Sequence, residues 1–165
     1  MLIDILSMQK GNRFKGDIML LKLLPEQIPT YWDEIKDGIL KTIPVGVPDR
    51  ANKILNKLLL GSAQCWISYH RGGTETRDDV IIDAVIITVI VEDQVHDTPN
   101  LDIYALWSVG VTRRSSWIEG IDALKKYARK KECTRIVGRS DVESILEFVR
   151  MAGGEARYTL IAFDV

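Results

Sequence analysis

The chain has 165 residues, of which 46 % are hydrophobic and 27 % charged; that composition suits one globular domain with its own core and excludes a disordered polymer. The formal net charge is −1 and the pI is near 6.1, so the basic excess of a general nucleic-acid binder is missing and no nucleic-acid partner is expected. The longest apolar run, Val85–Val91, is far too short to span a bilayer. At the start, Lys10, Arg13 and Lys15 follow a short apolar stretch instead of preceding it, which is not the pattern of a secretory signal. Cys65 and Cys133 belong to no C-x-x-C pair and have no His at zinc-ligand spacing. They are expected as buried thiols of a reducing compartment, with no metal site and a cytoplasmic location.

Residues 1–16 read as a loose N-terminal extension or an added short strand. Residues 17–24, apolar and followed by Pro25, predict the first strand. From Pro25 the period changes: Ile28, Tyr31, Trp32, Ile35, Ile39 and Ile43 share one helical face. Pro44 ends that helix, and Asp49 is placed to cap a second one carrying Ile54, Leu55, Leu58 and Leu59, with Gly61 as its stop. A sheet region follows. Gln64–His70 is a strand, and Arg71–Thr74 with Asp78 and Asp79 form its turn. In Val80–Val91 the apolar residues do not alternate with polar ones, which predicts a strand covered on both faces in mid-sheet. After a polar loop, Leu101–Val109 is the next strand.

Ser116-Trp117-Ile118-Glu119 has the form of a capping box. It predicts a helix with Trp117, Ile121, Leu124 and Ala128 inward and the basic run Lys125–Lys131 on its solvated side and end. Thr134–Val137 is a short strand. Ser140 or Asp141 caps a last helix with Val142, Ile145, Leu146, Val149 and Ala152 inward. Gly153-Gly154 ends that helix, and Ala156–Val165 is the terminal strand. Helices interleaved with strands around a three-strand meander predict one α/β (α+β) domain, a mixed sheet with helices on both faces. The four tryptophans, Trp32, Trp66, Trp107 and Trp117, sit on apolar faces and are expected to serve the core. His70 and His96 have no Ser or Cys partner pattern that would make a triad.

The strand leading through Gly110–Ser115 into the helix at Ser116, with Arg113 and Arg114 at the junction, is a candidate phosphate site. The free N–H groups of a first helical turn and the positive end of its dipole bind anions. The other reading is a capped helix with two solvated arginines. For proton transfer, Glu92 is the best-placed carboxylate by position, at the end of the buried strand, with Asp102 and Asp83 behind it.

The order of elements resembles the acyl-CoA N-acyltransferase (GNAT) superfamily, whose third helix receives the CoA pyrophosphate at its N-terminus. The C-terminal half, with Trp117 opening that helix, then Ala128–Cys133, Ile136–Arg139 and Ala152–Gly154, is similar to GNAT-like proteins encoded by phages and prophages. So are Tyr31-Trp32 and Leu58–Ile67. The resemblance implies acetyl-CoA bound by Trp107, Ser108, Val109, Arg113, Arg114, Ser115 and Ser116. It implies a slot for the pantetheine arm where Leu101–Val109 and Thr134–Val137, as neighbouring parallel strands, splay apart. The function implied is acetyl transfer to an amine not identified by the sequence; the alternative is a catalytically inactive phage structural or host-interaction protein, in the host cytosol or a virion. A homodimer or a phage or host protein would be the macromolecular partner.

The chain also departs from the family. Its pyrophosphate loop, Q/R-x-x-G-x-G/A, reads here from Arg113 with Ser116 and Ile118 in the glycine places. The Tyr that protonates the CoA thiolate falls at Val149, or at Arg150 in the other alignment. The acid is then expected to come from elsewhere, from Ser140 or Tyr158.

Overall fold

β-branched residues dominate Val80–Asp93, and such side chains fit a pleated surface packed on both sides. That segment is strand β3. It lies in the middle of a five-stranded sheet in which β1 (Met19–Lys22), β2 (Ala63–Arg71), β3, β4 (Thr98–Ser108) and β5 (Arg135–Gly138) are neighbours in chain order. β1 to β4 run antiparallel; β4 and β5 are parallel. The computed structural model describes residues 19–42, 49–71, 80–93, 97–108 and 114–156. The expected extension at 1–16, the helix end at Ile43-Pro44, the turn after Arg71, His96, and the terminal strand beyond Ala156 lie outside these residues.

One face of the sheet, with Cys65, Ile67, Val85, Ile87 and Ala105, packs against helices α1 (Trp32–Thr42) and α2 (Arg50–Leu59). The other, with Trp66, Ile86 and Leu101, packs under α3 (Arg114–Lys130) through Leu124 and Ala128. Helices therefore cover both faces, as the interleaved order requires. Under α3 the sheet also carries a buried polar chain. The Trp66 indole N–H donates to Thr88 Oγ1 at 3.0 Å, and the Thr88 hydroxyl donates to Gln64 Oε1 at 3.0 Å. Trp66 is fully in the core, and the Tyr127 ring of α3 meets it edge-on at 5.1 Å. Trp32 and Trp107 are partly buried against the opposite cluster.

Several helix ends differ from expectation. The segment from Pro25 to Tyr31 is a 3₁₀ helix that becomes α-helical only at Trp32. Pro29 inside it has no N–H to give an i→i−4 bond, and its ring crowds the preceding turn. Asp49 adopts φ +65 and makes no side-chain cap; its carboxylate takes the Asn52 side-chain amide instead. Gly61 does stop α2, with φ +73 and its N–H on the Leu58 carbonyl, a left-handed cap that glycine adopts without strain. The Ser116–Glu119 box does not start α3, which begins two residues earlier at Arg114. Helix α4 (Glu143–Met151) is preceded by Val142 without a side-chain cap and contains no buried residue. Val142 and Ala152, expected inward, flank the helix and are exposed.

Candidate functional site

The ladder between β4 and β5 runs from Asn100↔Arg135 to Ile103↔Gly138 and stops. β4 continues to Ser108, paired with β3 all the way but, among the described residues, with nothing on the β5 side. The strands are parallel neighbours that part at their C-terminal ends, as the α3 crossover between them predicts. The free edge of Tyr104–Ser108 offers backbone N–H and C=O groups to an extended ligand.

The parting has a local cause. In the β3 ladder Ile87 faces Ala105 and Thr88 faces Ile103, so Tyr104 is an extra residue with no partner. A bulge of this kind bends its strand and sharpens the twist. It also reverses the side-chain alternation: Leu101, Ile103 and Leu106 face α3, whereas Ala105 and Trp107 face the opposite core. The odd step from Ile103 to Leu106 is the signal in the sequence that marks Tyr104, which sequence reasoning missed. Its side chain is exposed, at the point where β5 leaves.

Arg114 and Ser115 open α3 at the end of the β4 crossover, next to the free edge. A helix of this length carries a full first turn of unpaired N–H groups. No acidic residue occupies that turn. Ser116 is turned inward, where it lines a small hollow with Ser68, Leu106 and Trp117; Ile118 is half exposed. Trp107 is not free for a ligand on the α1 side. Gly38 lies against its ring, and the Lys41 ammonium sits over it at 4.9 Å. Ser108 ends the strand, and Val109 and Arg113 lie outside the described residues.

The candidate acid–base residues do not all converge. Glu92 pairs with Pro99, near the beginning of β4 and so at the opposite end from the opening. Asp102 is nearer: it lies in the last turn-to-turn stretch of the parallel ladder, opposite Val137. It is buried, with its carboxylate 3.7 Å from the Arg139 guanidinium. Burial pushes its pKa up, and the nearby Arg139 charge pulls partly back. Ser140 follows β5 on the same rim, and its hydroxyl accepts the Val142 N–H at 3.1 Å, ordering the turn into α4. Tyr158 lies outside the described residues. The structure thus brings Ser140, the start of α3 and Asp102, the weaker carboxylate of the sequence reading, to the opening, adds Tyr104 and Arg139, and leaves Glu92 away from it. Among the described residues no group of three or more His, Cys, Asp or Glu could hold a metal ion, and no helix is long and apolar enough to cross a membrane.

No family model matches the chain, and no curated protein matches its sequence. Solved structures do match its fold. An aminoglycoside acetyltransferase, meta-AAC0020, from an uncultured soil metagenomic sample in complex with trehalose, has a TM-score of 0.65 at 13 % identity, over 93 % of this chain and 98 % of that one. AAC(6')-Iy in complex with a bisubstrate analogue, CoA-S-monomethyl-acetylneamine, has a TM-score of 0.68 at 11 % identity, over 91 % and 99 %. A ribosomal-protein-alanine N-acetyltransferase from Brucella melitensis biovar Abortus 2308 has a TM-score of 0.62 at 10 % identity, over 90 % and 99 %. At such identities the likeness is one of fold. The chain has the fold of these N-acetyltransferases, a mixed sheet with helices on both faces whose β4 and β5 part at one end.

Proposed function

We propose that the chain binds acetyl-CoA at the parting of β4 and β5 and transfers the acetyl group to a small-molecule amine. The observation that carries this reading is the edge Tyr104–Ser108 beyond the last β5 pair, which no described residue pairs. An extended pantetheine arm, itself made of amide groups, can pair with it as a further strand would. The pyrophosphate then falls at the first turn of α3, whose unpaired N–H groups begin at Arg114, with Arg113, Arg114, Ser115 and Ser116 as the residues to hold it. One of the fold neighbours supports the donor: AAC(6')-Iy was solved with a CoA bisubstrate analogue and, separately, with CoA.

In the transfer, the neutral amine nitrogen attacks the thioester carbonyl carbon. The C–N bond forms, the C–S bond breaks, and the thiolate leaves with a proton supplied at the sulfur. Asp102, on the strand that lines the opening, takes the ammonium proton through water. Ser140 on the rim gives a hydrogen bond to the leaving sulfur, with Tyr158 the other candidate. A thiolate leaves readily, so the absence of a Tyr at Val149 slows the reaction without forbidding it; a well-placed acid is worth about 10²- to 10⁴-fold. Aminoglycosides and polyamines are the acceptor classes to test first, the former because several fold neighbours act on them by name.

The test is calorimetric titration with acetyl-CoA, followed by a thiol-release assay over polyamines, aminoglycosides and peptide N-termini. Binding with turnover well below roughly 10 s⁻¹, the usual enzyme median, is the expected result. Absence of binding sinks the reading. The alternative of an inactive phage structural or host-interaction protein draws no support from the fold neighbours, which are acetyltransferases by name.

A further inference from the structure

Tyr104 stands at the inner end of the opening. The β5 ladder stops at Ile103↔Gly138, so Tyr104 is the first residue of β4 beyond it. It is also the bulged residue, without a partner on β3. In a regular strand the place after Ile103 would face the core under α1. Here Ala105 takes that place, and Tyr104 belongs to neither apolar cluster. Its side chain is 41 % exposed, so the bulge spares this tyrosine from core packing and leaves it at the mouth.

The direction of a bound arm follows from the same elements. Its phosphates go to the start of α3, which follows β4 beyond Ser108. The arm then runs back along the edge from Ser108 to Tyr104, four residue steps of roughly 3.3 Å each. Its sulfur, the last atom of the arm, comes to the Tyr104 end. A chain paired on this edge lies about 4.8 Å from β4. Across such a gap an aromatic side chain reaches its direct and its diagonal neighbours.

We infer that Tyr104 is a catalytic residue, the acid whose phenol protonates the leaving sulfur. This rests on the acyl-CoA reading above. As the amine nitrogen bonds to the carbonyl carbon, the C–S bond opens and its electron pair stays on sulfur. The proton on Tyr104 Oη moves to that sulfur, giving free thiol and a phenolate. The nitrogen, now bonded to carbon, gives up one proton to water, and water returns one to the phenolate. The enzyme ends as it began, and exposure at the rim is what lets the phenolate recharge. Phenols in general titrate at about 10 and thiols at about 8.5, close enough for a proton to be shared as charge builds on sulfur. Ser140 remains a hydrogen-bond donor to the sulfur; the acid that the chain lacks at Val149 comes from β4 itself.

The experiment compares the full chain with Tyr104→Phe, which keeps the ring and removes the proton. CoA affinity is measured by calorimetry, stability by thermal melts, and turnover by thiol release with acetyl-CoA and the amine that the wild-type chain uses fastest. The expected result is a kcat lower by about 10²-fold or more, the worth of a positioned acid, with Kd for CoA and Tm unchanged. An unchanged kcat overturns the acid role and leaves the acyl-CoA reading standing. So does a fall in kcat matched by an equal loss of CoA affinity or by a lower Tm, which marks the phenol as structural. CoA binding by the wild-type chain with no turnover on any amine removes the acid role and keeps the binding site. Absence of calorimetric binding removes the acyl-CoA reading itself.

Discussion

Gly38 of α1 lies flat against the Trp107 indole of β4, so close that a Cβ at Gly38 would stand 2.8 Å from Cε3 of the ring. The contact sets how near α1 can approach the strand whose far edge forms the opening. Gly38→Ala gains helix propensity but forces the ring or the helix to move. Overpacking of this kind costs about 1–3 kcal/mol, so urea denaturation should show a net loss of stability. Because the displaced strand carries Tyr104–Ser108, CoA affinity should fall as well.

Asp102 makes stability depend on pH in a definite direction. Burial raises its pKa above the ordinary 3.8, and Arg139 only partly opposes this. The folded state thus holds the proton more tightly than the unfolded one. The contribution of this group is complete below 3.8 and is lost as pH rises through the raised folded value. At neutral pH the buried charge is a net cost, and Asp102→Asn should raise the Tm there. The advantage should shrink to nothing in thermal melts taken below the ordinary carboxylate range. If Asp102 is also the base, the same variant slows transfer while leaving CoA affinity in place.

These two sites differ in how far the sequence reveals them. The apolar, unalternating Val80–Val91 announces a central strand, and the order of helices and strands announces the parallel crossover that parts β4 from β5. Periodicity does that work because burial on one or both faces is written into side-chain spacing. The bulge at Tyr104 is legible only in hindsight, from the odd step between Ile103 and Leu106. Glu92 looks well placed because strand ends look alike in sequence; pairing with Pro99 puts it at the other end of β4. The caps misled for a related reason. Ser116 and Asp49 are good capping types, but tertiary packing starts α3 at Arg114 and leaves the Asp49 carboxylate on Asn52.

The pyrophosphate site is tested from two sides. Replacing Arg113 and Arg114 together by Ala should weaken CoA about 10- to 100-fold, since charge-assisted hydrogen bonds contribute roughly 1.5–3 kcal/mol. Ile118 stands half exposed near the start of α3, in a place where the resembling family keeps glycine or alanine. Ile118→Ala removes the branched side chain without the cost of glycine in a helix, and calorimetry should show tighter CoA. Equal affinity in both variants would move the phosphates away from this turn.

Thr88 is completely buried, and its hydroxyl serves both Trp66 and Gln64. Thr88→Val keeps the shape and strand propensity but strands an indole N–H and a side-chain amide oxygen. Each buried unpaired group costs about 1–3 kcal/mol, so the chemical-denaturation midpoint should fall with no change in m-value.

That hydroxyl has a consequence for strand pairing. Gln64 and Thr88 are direct partners across β2 and β3, and Trp66 lies one step along the same face. With β2 held in place, a slip of one residue between the strands would turn Thr88 away from Gln64 and Trp66, toward Ile35, Ile39 and Leu58, where the described core is apolar, and would bring Ile87 under α3. Apolar strands as uniform as Val80–Val91 have little in their own side chains to tell one alignment from the next. Three polar atoms at matched positions make the wrong alignments expensive, and so give a nearly featureless central strand a single register.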